Sequence, residues 1–262
     1  MSPLLTLYLD QFLIFVLVLT RLGALLTTMP VLGTATVPMQ VRALLAVGIS
    51  LVITPLFWGQ PIPAPENLLV LGTLLAREAL LGLALGLALL ILLSGMQLAG
   101  QIISQTSGMT LADVANPTFD TSVPLFSQIL ELLATAIFFL VGGHRQVIDA
   151  LLRSFTWMPP GNGHLPENLL EALTLVASQS FEVGIRAAAP VLVALLIATL
   201  IVALISRTLP QLNAVAVGLN FNSLIAIGIF AFCLGSAAWV FQNELETSID
   251  AIMESLAIPK SR

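Results

Sequence analysis

Six ionisable side chains, Arg21, Arg77, Glu78, Glu131, Glu182 and Arg186, fall inside or beside stretches that are otherwise apolar. A charge at the centre of an apolar membrane helix costs about 2.5–3.5 kcal/mol on insertion scales, so each is expected to face protein or water and not lipid. Glu182 and Arg186 lie four apart, which on a helix sets acid before base on one face, where they neutralise each other. Arg77 and Glu78 are neighbours and point about 100° apart on a helix of about 3.6 residues per turn. Each therefore needs a partner on another helix, with Glu131 and Arg21 as the candidates. Three readings fit such a set: charge pairs that fix helix register, a relay for protons or ions, or charges that sit outside the bilayer or meet a partner subunit.

Catalytic constellations are absent. His144 and His164 stand alone in turn-like contexts, and the single Cys233 excludes an internal disulfide and a multi-cysteine metal site. No HExxH, GxSxG, Walker A or GxGxxG arrangement occurs, so enzyme chemistry has no visible carrier. The chain is therefore expected not to be an enzyme, and neither a cofactor nor a metal is expected.

The elements that hold the charges are membrane helices. Of the 262 residues 58% are hydrophobic and only 9% charged, with a mean hydropathy of +1.03, whereas a soluble domain carries about 25% charged residues. Apolar runs at 11–29, 43–58, 68–99, 123–142, 172–206 and 212–241 each approach the roughly 20 residues that cross hydrocarbon. The expected fold is all-α and polytopic, with about six long apolar helices. The runs 68–99 and 172–206 are too long for one perpendicular span, so they must tilt, break or project beyond the bilayer. The first run lacks a basic n-region and contains Asp10, so it is expected to be a retained span and not a cleaved signal peptide. A net charge of −5 without a basic patch argues against a nucleic-acid partner.

Local patterns refine this outline. "RQVIDALLRSF" places Val147, Ile148, Leu151, Leu152 and Phe155 on one helical face, which fits a short interfacial helix or an amphipathic connector packed on its own protein. Gly82 and Gly86 have the small-xxx-small spacing that allows close helix approach. "AVAVGL" at 214–219 adds a further small-residue row, and "GGH" at 142–144 reads as a helix ending in Gly142 and Gly143.

The polar segment "SQTSGMTLADVANPTFDTSVP", residues 104–124, interrupts two of the most apolar stretches. Irregular backbone is not viable against lipid, because its N–H and C=O groups lack partners there. It has two permitted homes: an aqueous connection outside the membrane, or a loop tucked into a pore or cavity. In the second, Gly108 supplies backbone freedom, while Met109 and Leu111 supply flexible apolar bulk.

Three stretches, taken in order, carry a resemblance. "RLGALLTTMPVLGTATVPMQVRALLAVGISLVITP", "GMTLADVANPTFDTSVPLFSQILELLATAIFFLVGGHRQVIDALLRSFTWMPPG" and "SRTLPQLNAVAVG" resemble the FliR family of flagellar type III export-gate proteins, relatives of the SctT/SpaR/YscT group of injectisomes. The likeness runs from about residue 12 to residue 240. Its more specific marks are Gly142, Gly143 and His144 with the following Leu-x-x-Ser-Phe, and Pro210, Gln211 and Asn213 of Pro-Gln-Leu-Asn. Asn116-Pro117 stands where the family commonly has Asp-Pro, and "GLNFNS" replaces the usual segment after Pro-Gln-Leu-Asn.

The resemblance implies a noncatalytic subunit that joins FliP-like and FliQ-like membrane subunits in a hetero-oligomeric gate, with FlhB-like and FlhA-like proteins nearby. Unfolded exported proteins would be its transient cargo. It implies a FliP-like part at 1–158 and a FliQ-like helical hairpin with a tail at 159–262. The location implied is the bacterial inner membrane at the flagellar basal body, with the gate projecting toward the periplasm. It also implies a pore-plugging loop formed by Gly108, Met109, Thr110, Leu111, Ala112, Asp113, Val114, Ala115, Asn116 and Pro117, which favours the cavity home for the polar segment. The competing class is a secondary transporter using Glu131 or the Glu182/Arg186 pair. It calls for an inverted repeat between halves, whereas four runs precede the break at 157–168 and two follow it.

Overall fold

The computed structural model describes residues 3–30, 33, 37–59, 65, 67–109, 123–161, 168–208 and 214–256. Seven α-helices lie among them: α1 (Pro3–Thr28), α2 (Met39–Ile53), α3 (Leu68–Ser107), α4 (Leu125–Leu140), α5 (Gly143–Trp157), α6 (Leu169–Thr208) and α7 (Ala214–Leu256). No strand occurs among the described residues. Prolines set several boundaries: Pro30 lies just beyond α1, and Pro38 and Pro124 occupy the positions before α2 and α4. A proline inside a helix removes one N–H bond and crowds the preceding turn, but it is harmless where the first N–H groups have no intrahelical acceptor. A 3₁₀ turn at Thr54–Phe57, with Pro55 near its start, finishes α2.

Five helical segments among the described residues are long and apolar enough to cross a membrane: Tyr8–Thr28, Met39–Phe57, Leu68–Ser107, Leu169–Ile205 and Phe221–Leu245. The number is six if Leu125–Leu140 and Gly143–Trp157 count together. α3 and α6 have 40 residues each, about 60 Å at 1.5 Å per residue and roughly twice a ~30 Å hydrocarbon core. Both are continuous, so of the permitted outcomes for the long runs, breaking does not occur. α6 even continues through Pro190.

The chain forms two compact units: Met1–Ile91 with Gly142–Ala177 and Ser248–Arg262, and Leu92–Val141 with Ser178–Thr247. These units do not coincide with the division at 158/159, which follows likeness to other subunits and not compactness. In the first unit Ile14, Leu17, Val18, Leu22 and Leu25 of α1 are buried with Leu81, Leu85 and Leu89 of α3. In the second, Met96, Ala99 and Ile103 of α3, Phe126, Leu130 and Phe138 of α4, Val191 and Leu195 of α6, and Phe230 and Phe241 of α7 supply the core. Phe126 and Phe230 meet edge to face at 4.8 Å between centroids, the geometry that an aromatic quadrupole favours.

Close helix approach is bought by glycine in both units. A Cβ on Gly82 would overlap the Arg21 carbonyl and lie 2.9 Å from the Ala24 Cβ, so α1 and α3 meet backbone to backbone as the small-residue spacing predicts. In the second unit a Cβ on Gly184 would lie 2.7 Å from the Gly95 carbonyl oxygen, and one on Gly95 would overlap the Ser180 carbonyl.

α5 is amphipathic and packs on its own unit. Gly143, Val147, Ala150, Leu151, Ser154 and Phe155 are buried, while Ile148 is exposed and Asp149 and Arg153 form an exposed ion pair of 2.8 Å. The interfacial reading is thus replaced by the connector reading, because the apolar face is already covered by protein. Gly142, at φ 78°, ends α4 and begins α5. Gly143 is the first residue of α5, so it starts a helix where the sequence suggested an ending.

Candidate functional site

The most developed polar centre lies in the first unit. Arg21, a guanidinium with 0% exposure, sits on α1, and Glu78, with 2%, on α3. The Arg21 Nε donates to Glu78 Oε2 at 2.6 Å, Nη1 to Ser154 Oγ at 3.1 Å and Nη2 to the Met158 carbonyl at 3.1 Å. The second Glu78 oxygen, Oε1, accepts the Gly161 N–H at 3.0 Å. The Ser154 hydroxyl in turn donates to the Leu151 carbonyl at 2.6 Å. Above the guanidinium lies the Phe155 ring, 4.1 Å from Cζ to centroid, a cation–π contact. Phe57 stacks on the same ring at 5.3 Å.

Each part of the sequence contributes what this clasp needs. The spacing in "LLRSFTWMPPG" brings Ser154 and Phe155 to the buried face of α5 and leaves Met158 as its C-terminal cap. Gly161 has φ 82°, a left-handed conformation that glycine adopts without strain and that presents its N–H to the carboxylate. The result is a closed set: every charged atom is paired, and both ions are hydrogen-bonded by neutral groups as well. A buried pair of this kind fixes structure, and removal of one partner strands the other charge. A relay needs an acceptor that is free to change, so the clasp supports the register reading of Arg21 and Glu78.

The remaining charges behave differently. Glu182 and Arg186 do pair across one turn of α6, as their spacing predicts, but both are about half exposed. Glu131 is half-buried and Arg77 exposed. Among the described residues neither has a hydrogen bond or ion pair, so the expectation that Glu131 or Arg77 would find a partner on another helix of this chain is not met. The sequence placed the partner of Glu78 correctly at Arg21 but could not foresee Met158 and Gly161, because they act through backbone groups that every residue carries. Ser154 was visible only as part of a longer motif.

Of the polar interruption at 104–124, only its two ends are described. Ser104 and Ser107 are buried at the end of α3, and the Ser223 hydroxyl of α7 donates to the Ser107 carbonyl at 3.3 Å. Gly108 follows with φ 79° and its N–H on the Gln105 carbonyl at 3.2 Å, a left-handed helix stop. Met109 is half-buried. Thr110, Leu111, Ala112, Asp113, Val114, Ala115, Asn116 and Pro117 lie outside the described residues, as do Pro210, Gln211 and Asn213. His144 is exposed on the first turn of α5. Among the described residues no cluster of His, Cys, Asp and Glu could hold a metal ion.

Comparison with known proteins adds a likeness along most of the chain. Residues 12–248 match the family described as "Bacterial export proteins, family 1". The flagellar biosynthetic protein FliR of Caulobacter vibrioides is 28% identical over 235 residues, 89% of this chain and 93% of that protein. FliR of Aquifex aeolicus is 30% identical over 227 residues, 86% of each. The surface presentation of antigens protein SpaR of Shigella sonnei is 28% identical over 162 residues, 61% of this chain and 62% of that protein.

Proposed function

Because this chain belongs to the bacterial export proteins, family 1, in the FliR group, we propose that it is a noncatalytic subunit of a flagellar or type III export gate in the bacterial inner membrane. It joins FliP-like and FliQ-like subunits, with FlhB-like and FlhA-like proteins nearby, in an assembly that projects toward the periplasm. Its residues 1–158 are the FliP-like part and 159–262 the FliQ-like hairpin. Unfolded export cargo passes through the assembly, and residues 108–117 close it at rest.

One observation carries the gating role: a 40-residue apolar helix stops at a left-handed Gly108, and the polar segment that follows lies within the residues the family matches. So polar a segment in so apolar a chain needs shelter from lipid, and a central passage supplies both shelter and water. A loop of small, apolar and hydroxylated residues fills such a passage without strong bonds, so a passing chain displaces it. The closed Arg21–Glu78 clasp supports a scaffold over a transporter, since its charges hold structure.

Deletion of residues 110–117 in the complete gate tests this reading. The assembly is expected to form as before, while the leak of small ions across the membrane rises. An unchanged leak with normal assembly would remove the plug role.

A further inference from the structure

Arg77 occupies an unusual place. It is exposed on α3, with no hydrogen bond or ion pair among the described residues. Large apolar side chains stand exposed beside its face on both sides along the helix, Leu69 before it and Leu80 after it, at 79% and 47%. The adjacent Glu78 cannot help, because both its oxygens are committed to Arg21 and Gly161. Between Arg77 and the leucines the side chains are small: Thr73 and Ala76 are exposed.

No simple solvent suits this face. Water would leave the leucines exposed, and hydrocarbon would strand an unpaired cation at a cost of about 2.5–3.5 kcal/mol. A headgroup layer at the level of Arg77 would push Leu69 out of the hydrocarbon, since eight residues of helix rise about 12 Å. The Glu182–Arg186 pair poses no such problem, because it neutralises itself.

We propose that the Arg77 face of α3 is covered by an apolar membrane helix of another subunit that carries a carboxylate opposite the guanidinium. The charge selects the acidic residue, and the small side chains of Thr73 and Ala76 let the partner backbone come close. This inference rests on the export-gate reading and names one of its subunit contacts.

The test co-expresses the full-length chain with FliP-like and FliQ-like membrane subunits from the same organism and measures their recovery on the tagged chain in mild detergent. Arg77→Glu is expected to lower recovery of one subunit by about tenfold or more, the size of effect seen when one member of a buried interfacial charge pair is lost. Arg77→Lys should keep most of it. Reversal of one acidic residue in the apolar helices of that subunit to Lys should restore the complex with Arg77→Glu. Size-exclusion profiles of the variants alone separate misfolding from lost docking, and a folded Arg77→Glu chain that recovers every subunit normally overturns the proposal. Rescue of recovery by anionic lipid, with no effect of any acid reversal, would assign the face to headgroups and overturn it too. Failure of the wild-type chain to recover any membrane subunit would instead bring down the export-gate reading itself.

Discussion

At the scale of single residues, burial decides what a charge is worth. Arg21 and Glu78 lie in the protein interior with neutral donors and acceptors around them, so Glu78→Gln should destabilise the chain by about 3–5 kcal/mol by stranding the guanidinium. Thermal unfolding in detergent would register this as an early loss of the monodisperse peak. The double change Arg21→Met with Glu78→Met should recover part of the loss, and a double variant as poor as the sum of its parts would argue that the two groups act independently. Glu182→Gln, by contrast, breaks a half-exposed pair within one helix, and in detergent, where water reaches Arg186, it should cost less than the loss of the buried Glu78 charge. The pairing of Arg21 with Glu78 was legible because an apolar sequence offers few charges to choose from. Met158 and Gly161 were not, since a backbone carbonyl or N–H leaves no mark in the residue alphabet.

At the scale of elements, glycine sets how near the helices stand and where they stop. Gly82→Val would drive a side chain into the Arg21 carbonyl and is expected to separate α1 from α3. Cysteines introduced on the two helices would then lose their disulfide crosslink. Gly142→Val forces a β-branched residue into the left-handed region, costing about 1–2 kcal/mol, and Gly142→Asn should be milder. Thermal melts of the two variants would show the difference, and equal melts would mean that the corner relaxes. Helix existence was legible from the apolar runs, and the seam at Gly82 and Gly86 from its spacing. The role of α5 was not, because an amphipathic face looks the same whether protein or a headgroup layer covers it. Only the burial of Val147, Leu151 and Phe155 distinguishes the two.

At the scale of the whole molecule, the chain is a set of apolar helices with much of their surface unpartnered. Phe232 is 91% exposed, Leu140 85% and Leu132 70%. Such a surface needs lipid or other subunits to cover it, so the full chain should accumulate several-fold better when its neighbouring membrane subunits are co-expressed. Immunoblots of membranes would record this, and equal levels would show that lipid alone suffices. The clasp has one more consequence, for biogenesis. Arg21 leaves the ribosome long before its partners, which follow 57 residues later for Glu78 and 137 for Met158. At about 5–20 residues per second, those 137 residues take roughly 7–27 s to synthesise. Until Glu78 arrives the nascent first helix carries a lone cation, and until Met158 arrives the clasp stays incomplete, so an insertase or a watery vestibule must cradle it meanwhile.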